Sequence, residues 1–359
     1  MLGPIILILG SYLAVSPGID MFLYPKLLAI LAGAFLCMRG PAHESPVRWY
    51  FPLILGLACA SAALSDSPLQ SATGLYRSPT AGLLGLAAAW AAYEAGRRRT
   101  TEDWGFVVFG ASMCSIMALV QYHPMAPWHS LIPSGRAIGT IGSPPYLGCM
   151  LALAVPLAAA RSPRALVFII PAMLATQSKA AIIGGIVGVA ALMALTRFQS
   201  RRAWIAGAAV SVVATAIILD RGTSDTIRIQ IWRTAWDAIL AHPWFGWGPD
   251  NFIDAFAQMR TPAWIAVAEH NGTGVAENAH NIFLHILATR GMIGMAATVA
   301  FAVAAGRALL NQAPESIWNH EDRNVMFACS AAVLAYSLFN PVPFMAWAVL
   351  SFMLGGLGI

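Results

Sequence analysis

Long apolar segments recur along the whole chain, and they set the strongest limit on how it can fold. A helix needs about 20 mostly apolar residues to cross a bilayer, which makes about twelve segments candidate spans. These lie at roughly 2–18, 22–38, 49–65, 74–93, 104–122, 142–160, 164–178, 180–196, 203–219, 281–305, 323–339 and 343–358. Only 10% of the 359 residues are charged, whereas a soluble domain carries about 25%. The sequence therefore predicts an all-α integral membrane protein, with residues 1–359 in a single polytopic membrane domain.

The basic residues indicate how these spans are oriented. With a cytoplasmic N-terminus, 12 of the 21 lysines and arginines fall on the inside, many in short connectors such as GRRR at 96–99. Because cytoplasmic loops are enriched in Lys and Arg, we expect this orientation. No basic residue precedes the first apolar stretch, so we expect a retained helix rather than a cleaved signal peptide.

Missing motifs exclude several classes of function. The five cysteines are scattered singly, so neither a disulfide framework nor a structural zinc site is predicted. The hydrolase motif GxSxG, the zinc-protease motif HExxH and the phosphate-binding GxxxxGK[ST] loop do not occur. The net charge of +5 lies mostly in short loops, where membrane topology explains it without a nucleic-acid partner. We expect no metal and no cofactor.

One long hydrophilic segment, about 220–280, holds seven of the sixteen acidic residues and lies on the outer side in this orientation. Its first half carries apolar residues at helical spacing, which predicts an amphipathic helix suited to the membrane surface. The residues of this stripe are Ile227, Ile231, Trp232, Ala235, Trp236, Ile239 and Leu240. His242-Pro243 ends the helix, and the following GWGPDNF predicts a turn.

Four basic residues on the outer side have two alternative interpretations. Arg136 lies at the mouth of the sixth span, Lys179 lies between two spans, and Arg228 and Arg233 lie on the amphipathic helix. They either form an electropositive pocket for a phosphate-bearing lipid or anchor helix ends by reaching to the interface. Their location on one side of the membrane favours the pocket.

The stretch ENAHN, just before the tenth span, holds the candidate catalytic base. His280 titrates near neutral pH and can take a proton from an attacking hydroxyl. Asn278 and Asn281 can cap the helix or orient the ring, and Glu277 can raise the pKa of the imidazole. The alternative is an ordinary interfacial histidine beside a capping asparagine. His285 lies five residues further on, so it points to another face and does not form a zinc pair.

Four segments taken in order resemble the O-antigen ligase/polymerase superfamily of bacterial envelope glycosyltransferases. They are 136–157, 176–192, 228–252 and 279–294. The last two are the most specific. A tryptophan-bearing helix ends in P-x-x-G-x-G-x-x-x-F, and later H-N opens an apolar helix that carries R-x-G-x-x-G. The resemblance covers roughly 130–300.

The resemblance implies a GT-C-type fold of about twelve helices in the bacterial inner membrane, with the 220–280 loop folded over a periplasmic cavity. It implies inverting, metal-independent transfer of a glycan from undecaprenyl pyrophosphate. By the same resemblance His280 is the base on the acceptor hydroxyl, and Lys179 and Arg228 bind the pyrophosphate. Family members usually carry Arg at the position of Lys179. Lys keeps the charge but loses the bidentate geometry, and Arg136 is placed to share that role.

Three roles compete within the superfamily: a ligase onto lipid A–core, a polymerase of lipid-linked glycan, and a transferase to protein. The order of Arg228 and His280 favours the ligase, and the chain end at Ile359 is expected to disfavour transfer to protein. A transporter or flippase of a lipid-linked or anionic substrate is the alternative of another class. It predicts repeats and broken helices near the midplane, whereas the basic residues here gather at one surface.

Overall fold

The computed structural model describes residues 2–15, 22–75, 80–99, 101–121, 123, 135–196, 224–262, 264–266, 274–310 and 320–359. These residues form α-helices and no β-strand, which confirms the prediction of an all-α protein. In chain order the helices are α1 Leu2–Leu13, α2 Leu23–Cys37, α3 Tyr50–Ala63, α4 Pro68–Thr73, α5 Gly82–Gly96, α6 Gly105–Val120, α7 Pro144–Arg161, α8 Leu166–Ala175, α9 Lys179–Thr196, α10 Ser224–Ala241, α11 Phe252–Met259, α12 Ile282–Leu310, α13 His320–Ser337 and α14 Phe344–Gly356.

Eleven of the predicted spans coincide with one of these helices, and the twelfth, 203–219, lies outside the described residues. The largest shift is at 74–93, because α5 begins only at Gly82. Among the described helices, α7, α9 and α12 are long and apolar enough to cross a membrane by length and composition. The count of twelve spans and the GT-C arrangement stay predictions.

Helix α7 lies at the centre of the bundle. Its residues from Leu147 to Ala158 are all buried, and a helix that is apolar all round is stable when other elements surround it. It packs against α8, α9 and α13, and α9 packs against α13 in turn. Further pairs are α1 with α2, α5 with α14, and α3 with α12. This framework holds the ends of α9, α12 and α13, which carry the candidate site.

Helix α10 is the helix predicted for the long loop, but the predicted apolar stripe is too wide. Ile231 and Ile239 are buried against α11 and α12. Trp236 and Leu240, which the sequence assigns to the same stripe, are 54% and 63% exposed. At 3.6 residues per turn Trp236 and Leu240 lie about 140° and 180° round the helix from Ile231. The helix therefore has one apolar face that packs against the protein and a second apolar face that is exposed.

Helix α12 is broken at Gly291, where φ is 67° and ψ is −172°. A break in a helix leaves unpaired N–H and C=O groups at the two new ends. Residues 243–248, which we call the capping loop, supply the partners. The N–H groups of Met292 and Ile293 donate to the carbonyls of Pro243 and Trp244, at 2.8 and 3.3 Å.

The other side of the break is satisfied in the same way. The N–H groups of Trp247 and Gly248 in the capping loop donate to the carbonyls of Ala288 and Thr289, each at 2.9 Å. Ser61 of α3 adds a side-chain hydrogen bond to the Thr289 carbonyl at 3.0 Å. The loop therefore caps both halves of α12 at once and joins them to α3.

Glycine is required at this junction for steric and conformational reasons. A Cβ on Gly291 would lie 2.1 Å from the Trp244 carbonyl oxygen, and a Cβ on Gly246 would lie 2.5 Å from the Arg290 nitrogen. Both glycines have φ near 70°, a left-handed backbone that side chains disfavour. The two glycine motifs that carry the family resemblance therefore meet each other in space.

A buried carboxylate ties the same loop region to the start of α5. Asp250 is 5% exposed and accepts hydrogen bonds from the N–H groups of Gly82 at 2.9 Å and Leu75 at 3.3 Å, and from the Thr80 hydroxyl. A carboxylate that accepts several hydrogen bonds is stabilised in its charged form. Asp250 thus fixes the segment after the capping loop onto α4 and α5.

We expect Gly291→Ala to lower the stability of the folded protein, because the added Cβ meets a backbone oxygen and the residue needs a left-handed backbone. Strained backbone of this kind costs about 1–3 kcal/mol, and the clash adds to it. Gly306→Ala is the matched control, since it lies on the same helix and its Cβ would meet nothing within 4 Å. Thermal unfolding in detergent, followed by tryptophan fluorescence, makes the comparison. Equal midpoints for the two variants would contradict the capping arrangement.

Candidate active site

His280 lies in a tight turn just before α12, with φ at 49°. A positive φ is uncommon outside glycine, and two asparagines hold the turn in place. The Asn278 side-chain oxygen accepts the His280 N–H at 3.1 Å. The Asn281 side-chain oxygen accepts the N–H groups of Phe283 and Leu284 at 3.0 and 3.1 Å, so of the two predicted roles, capping the helix or orienting the ring, Asn281 has the first. The imidazole is thereby held at the helix N-terminus.

Asn340 contacts the His280 imidazole, and it is absent from the predicted site. Its Oδ1 lies 3.4 Å from His280 Nδ1, at the long end of hydrogen-bond distances. It is 7% exposed, and its own N–H donates to the Tyr336 carbonyl at 3.2 Å. An amide oxygen only accepts hydrogen bonds, so this contact favours the tautomer with the proton on Nδ1. The Asn-Pro pair between two predicted spans is the signal that marks this turn.

A second hydrogen bond joins the turn before α12 to the turn after α13. The Asn281 side-chain nitrogen donates to the Leu338 carbonyl at 3.2 Å. The turn before α12 and the turn after α13 are therefore connected through both His280 and Asn281. Because each of these contacts joins residues that are about 60 positions apart in sequence, the position of His280 depends on how α12 and α13 pack.

Burial lowers the pKa of His280 below its ordinary value, and the nearby Arg228 cation lowers it further. The Asn340 contact and the Phe339 carbonyl act in the opposite direction without reversing the net effect. The sequence predicts that Glu277 raises this pKa; instead the pKa is lowered, and Glu277 is exposed. The imidazole is therefore neutral at pH 7 and available as a base.

Helix α10 brings Arg228 to His280. Trp232, one turn further along α10, donates its ring N–H to the carbonyl of Ala279 at 3.0 Å. Residues four apart lie on one face of a helix, so Arg228 and Trp232 approach the same turn. Arg233 is exposed and lies about 140° round the helix from Arg228. The structure brings Arg228 to the site and leaves Arg233 outside it.

The turn between α8 and α9 ends at Lys179 and is contacted by Arg136 from the segment before α7. The Arg136 Nε donates to the carbonyl of Thr176 at 2.9 Å. Lys179 is the first residue of α9, half-buried, and the Ser178 hydroxyl before it caps the helix by accepting the Ala181 N–H at 3.3 Å. Because Arg136 bonds to this turn and Lys179 follows it, both basic residues lie at the same end of the bundle.

The segment that carries Arg136 is held rigidly. The Gln121 side chain bonds both the N–H and the carbonyl of Gly139, at 3.0 and 3.1 Å. Lys26 is fully buried, and its ammonium donates to the carbonyl of Thr140 at 2.6 Å. These contacts fix the backbone between Arg136 and the start of α7.

Tyr336 lies near both arginines of the site. This residue is fully buried near the end of α13, and its hydroxyl donates to the Pro145 carbonyl at 2.9 Å. Arg136 and Arg228 both lie within electrostatic range of this hydroxyl. Since Tyr336 also accepts the N–H of Asn340, it lies next to the partner of His280. The site is therefore a neutral imidazole with cations on neighbouring elements.

Metal ligands are not grouped in the part of the chain that the structure describes. No cluster of three or more His, Cys, Asp or Glu occurs among those residues. His285 lies inside α12 against the ring of Phe252, with centroids 5.6 Å apart. Its Nδ1 is buried and has no partner among the described residues. Transfer without a metal stays a prediction.

The fold and the site define a helical membrane protein with a neutral imidazole and basic side chains at one end of its bundle. Residues 165–299 match the family model for O-Antigen ligase, which confirms the predicted resemblance to the O-antigen ligase superfamily. The match includes Lys179, Arg228 and His280 but not Arg136 or Asn340. Members of this family are membrane glycosyltransferase-like enzymes, either ligases or polymerases. No curated protein matches the chain in sequence.

We expect Arg228→Gln to raise the pKa of His280, because it removes a cation that opposes protonation of the ring. The measurement is a pH titration of ¹³C-labelled histidine by NMR, with the His280 signal assigned by its loss in His280→Gln. Arg233→Gln is the matched control, since Arg233 lies on the same helix and is exposed. No rise with Arg228→Gln, or an equal rise in both variants, would contradict the placement of Arg228.

Proposed function

We propose that the protein is an inverting, metal-independent glycosyltransferase of the O-antigen ligase type. It moves a glycan from undecaprenyl pyrophosphate to a hydroxyl of lipid A–core at the periplasmic face of the bacterial inner membrane. The observation that carries the proposal is the neutral His280 imidazole, held by Asn340 through Nδ1 and placed beside the Arg228 cation. A base and a phosphate-binding cation are the two groups that this reaction requires.

The chemistry follows from the two ring nitrogens of His280. With the proton on Nδ1, Nε2 accepts the proton of the acceptor hydroxyl as its oxygen attacks the anomeric carbon. The new C–O bond forms on the face opposite the pyrophosphate, the old C–O bond breaks, and the configuration inverts. Undecaprenyl pyrophosphate leaves with the electron pair of the broken bond. The lowered pKa of His280 keeps the ring unprotonated before the reaction.

The cations stabilise the charge that grows on the leaving pyrophosphate. Arg228 is the cation that lowers the pKa of the imidazole. Lys179 lies at the end of the turn between α8 and α9, and Arg136 contacts this turn from the segment before α7. An arginine can bind phosphate through two parallel hydrogen bonds, whereas a lysine acts as a point charge. We assign the bidentate role to Arg228 and Arg136, and we leave the exposed Arg233 out of the set.

The capping loop favours a transferase over a transporter or flippase. A transporter uses the ends of broken helices to bind its substrate. In this chain four backbone groups at the break in α12 are hydrogen-bonded to residues 243–248, so they are not offered to a substrate. We also propose that the 220–280 loop covers the periplasmic mouth of the site, with the N-terminus in the cytoplasm.

We expect His280→Ala to lower acceptor-dependent release of undecaprenyl pyrophosphate by about 10²–10⁴-fold, the usual contribution of a general base. The assay uses purified protein in liposomes with a lipid-linked glycan donor. His320→Ala is the matched control, since His320 is an exposed histidine at the start of α13. Full activity of a folded His280→Ala protein would rule out the base mechanism.

The acceptor distinguishes a ligase from a polymerase. We expect release of undecaprenyl pyrophosphate when lipid A–core is added, and none when the donor is the only glycan present. A polymerase would release it from donor alone, because a second lipid-linked glycan serves as acceptor. Mass spectrometry of the products identifies which molecule has gained the glycan. Products extended only on the lipid-linked glycan would replace the ligase proposal by the polymerase.

A further inference from the structure

A groove of about 630 Å³ runs along α12 on the side of the helix that faces α3. Its walls are Tyr50 of α3 and apolar residues of α12 from Leu287 to Ala304, and Arg307 lies at one end. Val299 and Val303 in the groove are 45% and 46% exposed. The groove is therefore an apolar surface that is open to the hydrocarbon of a bilayer.

Helix α12 is far less covered by protein than the other two long apolar helices. Only 22% of its most apolar window is buried, against 67% for α7 and 44% for α9. An apolar helix face in a membrane is in contact with lipid chains or with another protein. The chemistry of the groove's two ends indicates which of these occupies it.

Arg307 gives the groove a charged end. The side chain is exposed and makes no ion pair or hydrogen bond with any residue that the structure describes. No acidic residue occurs anywhere in α12, so its own helix offers no partner. A cation at the end of an apolar groove is complementary to an amphiphile with an anionic head group.

The groove is distinct from the site around His280. Arg307 is 27 residues beyond His280 and lies near the other end of α12, past the break at Gly291. A polyprenyl donor with its pyrophosphate at Arg228 would bring only its uncharged tail near Arg307. A second copy of this chain, packed symmetrically through the same face, would bring two Arg307 cations together. Charge therefore disfavours both of these occupants.

We propose that the groove binds an anionic glycerophospholipid of the membrane, with its phosphate on Arg307 and one acyl chain along α12 towards Met292. This stretch is about 22 Å long, within the roughly 30 Å of the hydrocarbon core. The site is independent of the transferase mechanism, since none of its residues lies in the candidate active site. The bound lipid covers the face of α12 that α3 leaves exposed.

The test is native mass spectrometry of the full-length protein with phosphatidylglycerol or with phosphatidylethanolamine of the same acyl chains. We expect phosphatidylglycerol to remain bound preferentially. We expect Arg307→Ala to weaken this retention at least about fivefold, and Arg307→Lys to keep most of it, because a phosphate contact at the membrane surface depends on the charge. Arg260→Ala is the matched control, since Arg260 is exposed at the end of α11 and does not line the groove.

A second pair of variants tests the apolar part. Ala300 lines the groove and Ala302 is exposed on the same helix outside it, so Ala300→Phe should displace the lipid and Ala302→Phe should not. Gel filtration and the thermal midpoint check that each variant is folded. Equal retention of the two lipids, or unchanged retention in both Arg307→Ala and Ala300→Phe, overturns the proposal. A dimer that Ala300→Phe dissociates, without any change in bound lipid, would assign the groove to a subunit contact instead.

Discussion

The hydrogen bonds between the capping loop and the break in α12 are the contacts on which the rest of the structure depends. Inside a bilayer no water is available to satisfy a free backbone N–H or C=O, and each unsatisfied group costs several kcal/mol. The break at Gly291 exposes such groups, and the capping loop satisfies four of them. Because α10 leads directly into this loop, the same bonds fix the position of the helix that carries Arg228.

The candidate site combines two demands on one electrostatic environment. In the proposed mechanism Arg228 holds a phosphate, and the same cation lowers the pKa of His280. A base beside a cation stays neutral, but it is also a weaker base. Asn340 and the Phe339 carbonyl partly offset this by favouring the protonated ring. The balance is set by residues from α10, from the turn before α12 and from the turn after α13, which explains why no single segment contains the whole site.

Apolar length was enough to predict most helices, because a membrane span must hydrogen-bond its own backbone. It was also enough to place His280 at a helix mouth, but it left open which of Asn278 and Asn281 caps the helix. Asn340 was missed because its contact with His280 arises from the packing of α12 on α13; the Asn-Pro pair marks the turn but does not indicate which residue it meets. Arg233 was grouped with Arg228 because sequence proximity says little about helical phase. The capping of α12 was hidden for another reason: its bonds are between backbone groups, and only Gly246 and Gly291 hint at them.

The order of segments along the chain has a consequence for how the protein is made. The capping loop precedes α12 in sequence, so it is synthesised before the helix that contains the break. When Ala288 and Met292 enter the bilayer, the backbone groups of Pro243 and Trp247 that will pair with them already exist. With the reverse order, the half-helices would wait in hydrocarbon for partners not yet translated. The chain is therefore arranged so that insertion and capping can occur together.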